Sequence, residues 1–107
     1  MRRIYISGPI TGDEGYMQHF AKAESELRSA NYETINPARV NRPLPETLTH
    51  SEYMEVSLAM LSICDGIYML SGWEESKGAT IEFEYAFNHQ LPIMFEGGDL
   101  WPNPDKQ

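Results

Sequence analysis

A chain of 107 residues with 16 acidic and 8 basic side chains, a net charge of −8, is sized for one domain with one core. That balance argues against broad contact with a polynucleotide backbone or an anionic membrane surface, yet it leaves room for one small anion held by a few backbone amides. The single cysteine, Cys64, forms no internal disulfide; it lies in an apolar run and reads as a packing residue, which fits a reducing cytoplasm. No signal peptide and no bilayer-length apolar stretch is recognisable. His19, His50 and His89 are too scattered to suggest a metal site, and no cofactor is expected.

In chain order, strand and helix alternate. Arg2 to Ser7 is a β-rich start closed by Gly8 and Pro9. Asp13 is a plausible N-cap for a helix whose apolar residues Tyr16, Phe20, Ala23 and Leu27 recur at helical spacing. Tyr32 to Ile35 is a short strand stopped by Asn36-Pro37, and a polar loop spans Arg39 to Leu48. Thr49-His50-Ser51-Glu52 has the capping-box pattern, and the helix it opens carries Val56, Ala59, Met60 and Ile63. Gly66 to Leu70 is a continuous apolar run, as a central parallel strand requires. A loop from Ser71 to Lys77, a helix bearing Glu82 and a last strand Pro92 to Phe95 follow. Residues 1–96 form the domain and 97–107 a loose tail with Gly97-Gly98, Pro102 and Pro104. Such alternation predicts an α/β fold, a four- or five-stranded parallel sheet covered by helices, with Tyr68 on a central strand.

The segment from Gly78 to Ala86 carries the most information. At about 100° per residue, Ala79, Phe83, Ala86 and Phe87 share an apolar stripe, Glu84 points away, and Glu82 falls on the stripe's edge. A carboxylate held against apolar neighbours has its charged form disfavoured. The plain alternative is an edge glutamate reaching water past small alanines.

Ligands of parallel sheets bind at the carboxyl ends of the strands. Two loops there stand out. Ser7-Gly8-Pro9-Ile10-Thr11-Gly12 offers glycines and hydroxyls before a helix, although an ordinary strand-to-helix turn would look the same. It matches neither a P-loop nor the dinucleotide fingerprint. Gly72-Trp73-Glu74-Glu75-Ser76-Lys77-Gly78 repeats the theme, with Trp73 able to stack on a base or to cover the core. Together with Glu82 they outline a pocket for a small phosphate- or sugar-bearing molecule.

Tyr5 to Gly12, Asp65 before an apolar strand, and Ser76-Lys77-Gly78-Ala79-Thr80-Ile81-Glu82 resemble the nucleoside 2-deoxyribosyltransferase superfamily, which includes the 2'-deoxynucleoside 5'-phosphate N-hydrolases. A small branch of unknown function, with the pattern Gly-Trp-x-x-Ser-x-Gly-Ala-x-x-Glu, is the nearer likeness. The resemblance spans roughly Arg3 to Phe95. It implies a flavodoxin-like three-layer sandwich in which Glu82 attacks the anomeric carbon of a 2-deoxyribose, as the nucleophile of a retaining glycosidase does. Tyr5 would hold Glu82 in line, and Asp65 would help protonate the departing base; as a plain helix-to-strand linker carboxylate, Asp65 has an equally good reading. Ser7 to Gly12, Trp73, Ser76, Gly78 and Ala79 would bind the substrate.

Transferases of this superfamily tend to carry aspartate where this chain has Ser76. A hydroxyl can donate to a 5'-phosphate that a carboxylate would repel, so Ser76 favours a monophosphate. The resemblance also implies a homodimer or higher homo-oligomer with sites completed by a neighbour, Asn88 and His89 being the candidates for the donated residue. Three readings follow: an N-glycosidase or deoxyribosyltransferase, a nucleotide-binding module without turnover, and a protein-interaction domain.

Overall fold

The computed structural model describes residues 2–100. Its elements are β1 (Arg3–Ser7), α1 (Tyr16–Ser29), β2 (Glu33–Ile35), α2 (Pro37–Asn41), α3 (His50–Ser62), β3 (Gly66–Met69), α4 (Lys77–Asn88) and β4 (Ile93–Phe95), with a 3-10 turn at Trp73–Glu75. Four strands form one all-parallel sheet in the order β2-β1-β3-β4, so β1 and the Tyr68-bearing β3 lie at its centre. The chain winds one way from β1 to β2 and the other way from β3 to β4. The direction reverses between β1 and β3, and the crevice at their carboxyl ends is where such sheets take ligands.

Side chains alternate across each strand, and this sorts the core into two halves. Ile4, Ile6, Tyr68, Leu70 and Met94 face Phe20, Ala23 and Leu27 of α1 and Ala38 of α2. Tyr5, Ile67 and Met69 face Leu61 of α3 and Ala79 and Ala86 of α4. The α/β sandwich read from the sequence is the fold observed.

Local details depart from the sequence reading in instructive ways. Asp13 does not cap α1; its Oδ1 accepts the Gly15 amide at 2.9 Å, and Gly15 is the N-cap. The expected loop after β2 begins with α2, where the Asn36 side chain accepts the Ala38 and Arg39 amides and Pro37 takes the first helical position. The capping box at Thr49 and Glu52 forms as its pattern implies. In α3 the buried face is misread. Ser57 and Leu61 are its buried residues, whereas Ile63 is 59% exposed and Ala59 is exposed. Of the expected tail, Leu100 packs against the α1-side core, and residues 101–107 lie outside the described residues.

Candidate active site at the carboxyl edge of the sheet

Glu82 lies at the centre of the buried stripe of α4, not at its edge. Ala79, Glu82 and Ala86 face the sheet, and Phe87 is 67% exposed. Two small alanines let the helix approach the strands closely enough for a carboxylate to be enclosed. The side chain is 6% exposed.

Both of its oxygens are met by hydroxyls from β1. Tyr5 Oη donates to Oε2 at 2.6 Å, and Ser7 Oγ donates to Oε1 at 2.6 Å. Tyr5 and Ser7 are two residues apart on one strand, so they project to the same face. Burial pushes the Glu82 carboxyl from its ordinary 4.5 up to about 7, while the Ser7 and Tyr5 hydrogen bonds pull it down. Tyr5, fully enclosed, is raised well above 10, first by burial and then by the adjacent Glu82 charge.

The two loops singled out in the sequence meet above this pair. Gly72, at φ +87°, comes so close to the first loop that a β-carbon on it would lie 3.4 Å from Pro9 Cγ. Gly8 is pressed on Leu70, the residue just after β3, since its β-carbon would stand 2.7 Å from Leu70 Cβ. Gly12 has φ +82° in the turn closed by the Asp13 amide and Ile10 carbonyl, with Ile10 and Thr11 at the surface. Ser76 is the N-cap of α4 and its Oγ accepts the Ala79 amide at 3.2 Å. The hydroxyl proton of Ser76 is left to donate elsewhere. Gly78 follows in the first turn, where a β-carbon would lie 3.4 Å from Met54 Sδ and 3.8 Å from His50 Nε2. The start of α3 therefore borders the site, a neighbour that the sequence reading did not include.

Two expectations need correction, Ser7 and Asp65, whereas Trp73 keeps one face beyond its stack on Phe83. The hydroxyl of Ser7 is committed to Glu82 and is not part of a phosphate cradle. Asp65 stands at the opposite edge of the sheet, before β3, where its Oδ2 accepts the Arg3 amide at 2.8 Å. A residue that precedes a parallel strand lies at the amino edge, so Asp65 is apart from Glu82 and its linker reading prevails. Trp73 stacks on Phe83, ring centroids 4.5 Å apart, and covers the core with that face. Asn88 and His89 are exposed at the end of α4, with His89 stacked on Tyr85 at 3.9 Å.

Two open cavities lie on the α1 side of the sheet. One of about 350 Å³ lies on the α1 side of the same edge, lined by Pro9, Asp13, His19, Lys22, Ser71 and Glu96. Another of about 480 Å³ lies over α1, beside Glu24, Arg28 and Arg39. There the buried Glu24 takes Arg39 Nη2 at 2.7 Å and Arg28 Nη2 at 3.4 Å, a structural ion-pair cluster. Among the described residues, no three His, Cys, Asp or Glu side chains gather as a metal site, and no helix is long and apolar enough to cross a membrane.

A parallel αβα sandwich whose crevice at the β1–β3 switch point encloses a hydroxyl-bound glutamate defines the class. The chain belongs to the family Domain of unknown function (DUF4406), which it matches over residues 2–95. No curated protein matches the sequence. Among solved structures it is similar to a 2-deoxyribosyltransferase from the psychrotolerant bacterium Bacillus psychrosaccharolyticus, described as a biocatalyst for nucleoside synthesis. The two superpose with a TM-score of 0.70 at 19% identity, over 92% of this chain and 76% of that one. The likeness establishes a shared flavodoxin-like fold.

Proposed function

We propose that the protein cleaves the N-glycosidic bond of a 2'-deoxynucleoside 5'-monophosphate, with Glu82 as nucleophile and water or a second base as acceptor. The observation that carries this reading is the enclosed Glu82 carboxylate with Tyr5 and Ser7 on its two oxygens. A structural glutamate on a core-facing stripe would cost stability for no return. Held by two hydroxyls at a ligand-binding edge, it is oriented for attack on an anomeric carbon.

In the first step a Glu82 oxygen bonds to C1' as the C1'–N bond breaks, and the electron pair leaves with the base, which takes up a proton. Water or an incoming base then attacks C1' and returns the carboxylate. The nucleophile must be ionised, so the reaction strengthens as pH rises through about 7. Ser76 and the first turn of α4 receive the 5'-phosphate, the hydroxyl donating to it. The Gly8 to Gly12 loop forms the facing wall.

A second copy of the chain covers the outer face of α3 and α4. Ile63, the C-cap of α3, and Phe87 of α4 remain exposed, while Leu61 of α3 and Ala79 and Ala86 of α4 are buried. We assign the molecule to the cytoplasm on its lone, buried cysteine.

The alternative of a nucleotide-binding module without turnover draws on the depth of Glu82, 6% exposed. Incubation with nucleosides and their monophosphates, followed by chromatography for free base, separates the two. Base release from a deoxynucleotide, lost in Glu82→Ala and retained in Glu84→Ala, supports catalysis. Ligand-induced stabilisation without base release from any substrate supports the module.

A further inference from the structure

We propose that the open cavity over α1 is a binding site for a phosphate-bearing small molecule, held by the guanidinium groups of Arg28 and Arg39 and the hydroxyls of Ser25 and Ser29. It lies on the opposite face of the sheet from Glu82 and does not depend on the function proposed above.

The cavity, of about 480 Å³, is built on α1. Ala21, Ser25 and Ser29 recur at every fourth residue, so they lie on one line along the helix, and their small side chains leave it open. Arg28 comes from the last turn of α1 and Arg39 from α2, and both reach the buried carboxylate of Glu24. Its Oε1 takes Arg39 Nη2 at 2.7 Å, and its Oε2 takes Arg28 Nη2 and the Thr34 hydroxyl, each at 3.4 Å. Thr34 Oγ1 in turn accepts Arg28 Nε at 3.2 Å. Two long side chains that would otherwise sample many rotamers are anchored at one place, and a ligand finds them already ordered.

The class of ligand follows from the donors. Both arginine side chains are 60% exposed, and a guanidinium carries more N–H groups than these bonds use. Among the described residues, no protein group meets the hydroxyl of Ser25 or of Ser29. Both Glu24 oxygens are taken up, so the polar groups open to a ligand are N–H groups and hydroxyls, all able to donate. Two cations against one carboxylate leave the wall net positive, in a chain whose overall charge is −8. That set rejects a cation and fits an anion. One guanidinium satisfies a carboxylate, whereas donors arriving from two helices suit the oxygens of a tetrahedral phosphate group. The volume falls in the range of small-molecule sites and leaves room for the molecule to which the phosphate is attached.

The test titrates the whole chain, carrying ¹⁵N-arginine, with inorganic phosphate, with a deoxynucleoside 5'-monophosphate and with its nucleoside, at constant ionic strength. The Nε signals of Arg28 and Arg39, assigned by their loss in Arg28→Gln and Arg39→Gln, should shift saturably with both phosphates and not with the nucleoside. Ser25→Asp and Ser29→Asp place a carboxylate in the cavity and leave the ion pairs of Glu24 in place. Each should weaken binding about tenfold or more, while Ser76→Asp leaves it unchanged. A nucleotide bound more tightly than inorganic phosphate upholds the proposal with the nucleotide as ligand. Equal affinities uphold it with the phosphate group alone as what is recognised. Shifts that do not saturate signify an adventitious ion only and overturn it, as does the absence of any shift. Shifts lost in Ser76→Asp and kept in Ser25→Asp put the phosphate on the other face of the sheet and overturn it equally. Because the readout is binding, a protein that releases no base removes the proposed function and leaves this site standing.

Discussion

Ser7 Oγ stands 2.6 Å from Glu82 Oε1, joining the last residue of β1 to the second turn of α4. Of the two hydrogen bonds that hold the Glu82 carboxyl down against its burial, this one has the larger effect. Ser7→Ala should therefore raise the titration of Glu82 above about 7. Base release at neutral pH should fall about tenfold or more, with the acid limb of the pH–rate profile displaced upward. An unchanged acid limb would remove Ser7 from the site.

Glu82 also makes the fold sensitive to pH. Its folded value of about 7 lies above the ordinary 4.5, so the native state holds this proton more tightly than the unfolded chain. The stability that it contributes is complete below pH 4.5 and is lost as pH rises through 7. Glu82→Gln should gain roughly 3 kcal/mol over wild type above pH 7 and little near pH 4. Melting curves of both proteins across that range give the comparison, and parallel curves would contradict the raised carboxyl.

Ser76 carries the choice between phosphate and free hydroxyl. In wild type a deoxynucleoside monophosphate should raise the melting temperature more than its nucleoside does, and Ser76→Asp should reverse the order. The aspartate can keep the helix cap, so folding survives. Equal shifts for both ligands in both proteins would end the case for phosphate recognition.

On the far side of the sheet, Arg39→Met would leave Glu24, whose side chain is 8% exposed, with the longer Arg28 contact at 3.4 Å and the Thr34 hydroxyl donating at 3.4 Å. The loss should be about 1–2 kcal/mol, below that of a fully buried pair because Arg39 is itself largely exposed. Urea unfolding should show a lower midpoint with an unchanged slope. Adding Glu24→Met should restore much of it.

The order of elements was legible in the sequence because each carries its own period: the apolar run that became β3, the capping box of α3, the stripe of α1. The phase of the last two helices was not. Phe87 looked like core and is exposed, while Glu82 looked marginal and is enclosed, because ring size says nothing about how near a helix comes to a sheet. Ser57 interrupts the apolar pattern of α3 and is nonetheless one of its two buried residues. Ser7 could have been found, since any residue two places from Tyr5 on a strand shares its face. The position of Asp65 was legible too, because the residue just ahead of a parallel strand begins at the edge away from ligands.

Placing both hydroxyl donors on β1 has a consequence for how the site can fail. A slip of one residue in the pairing of β1 would turn Tyr5 and Ser7 toward α1 and present isoleucines to Glu82. β1 is paired on both sides, Tyr5 with Ile35 and Ile67, so no such slip occurs without breaking two ladders at once. The carboxylate thus draws its geometry from the most protected hydrogen bonds of the molecule and not from the surface loops above it. Its disassembly should coincide with global unfolding.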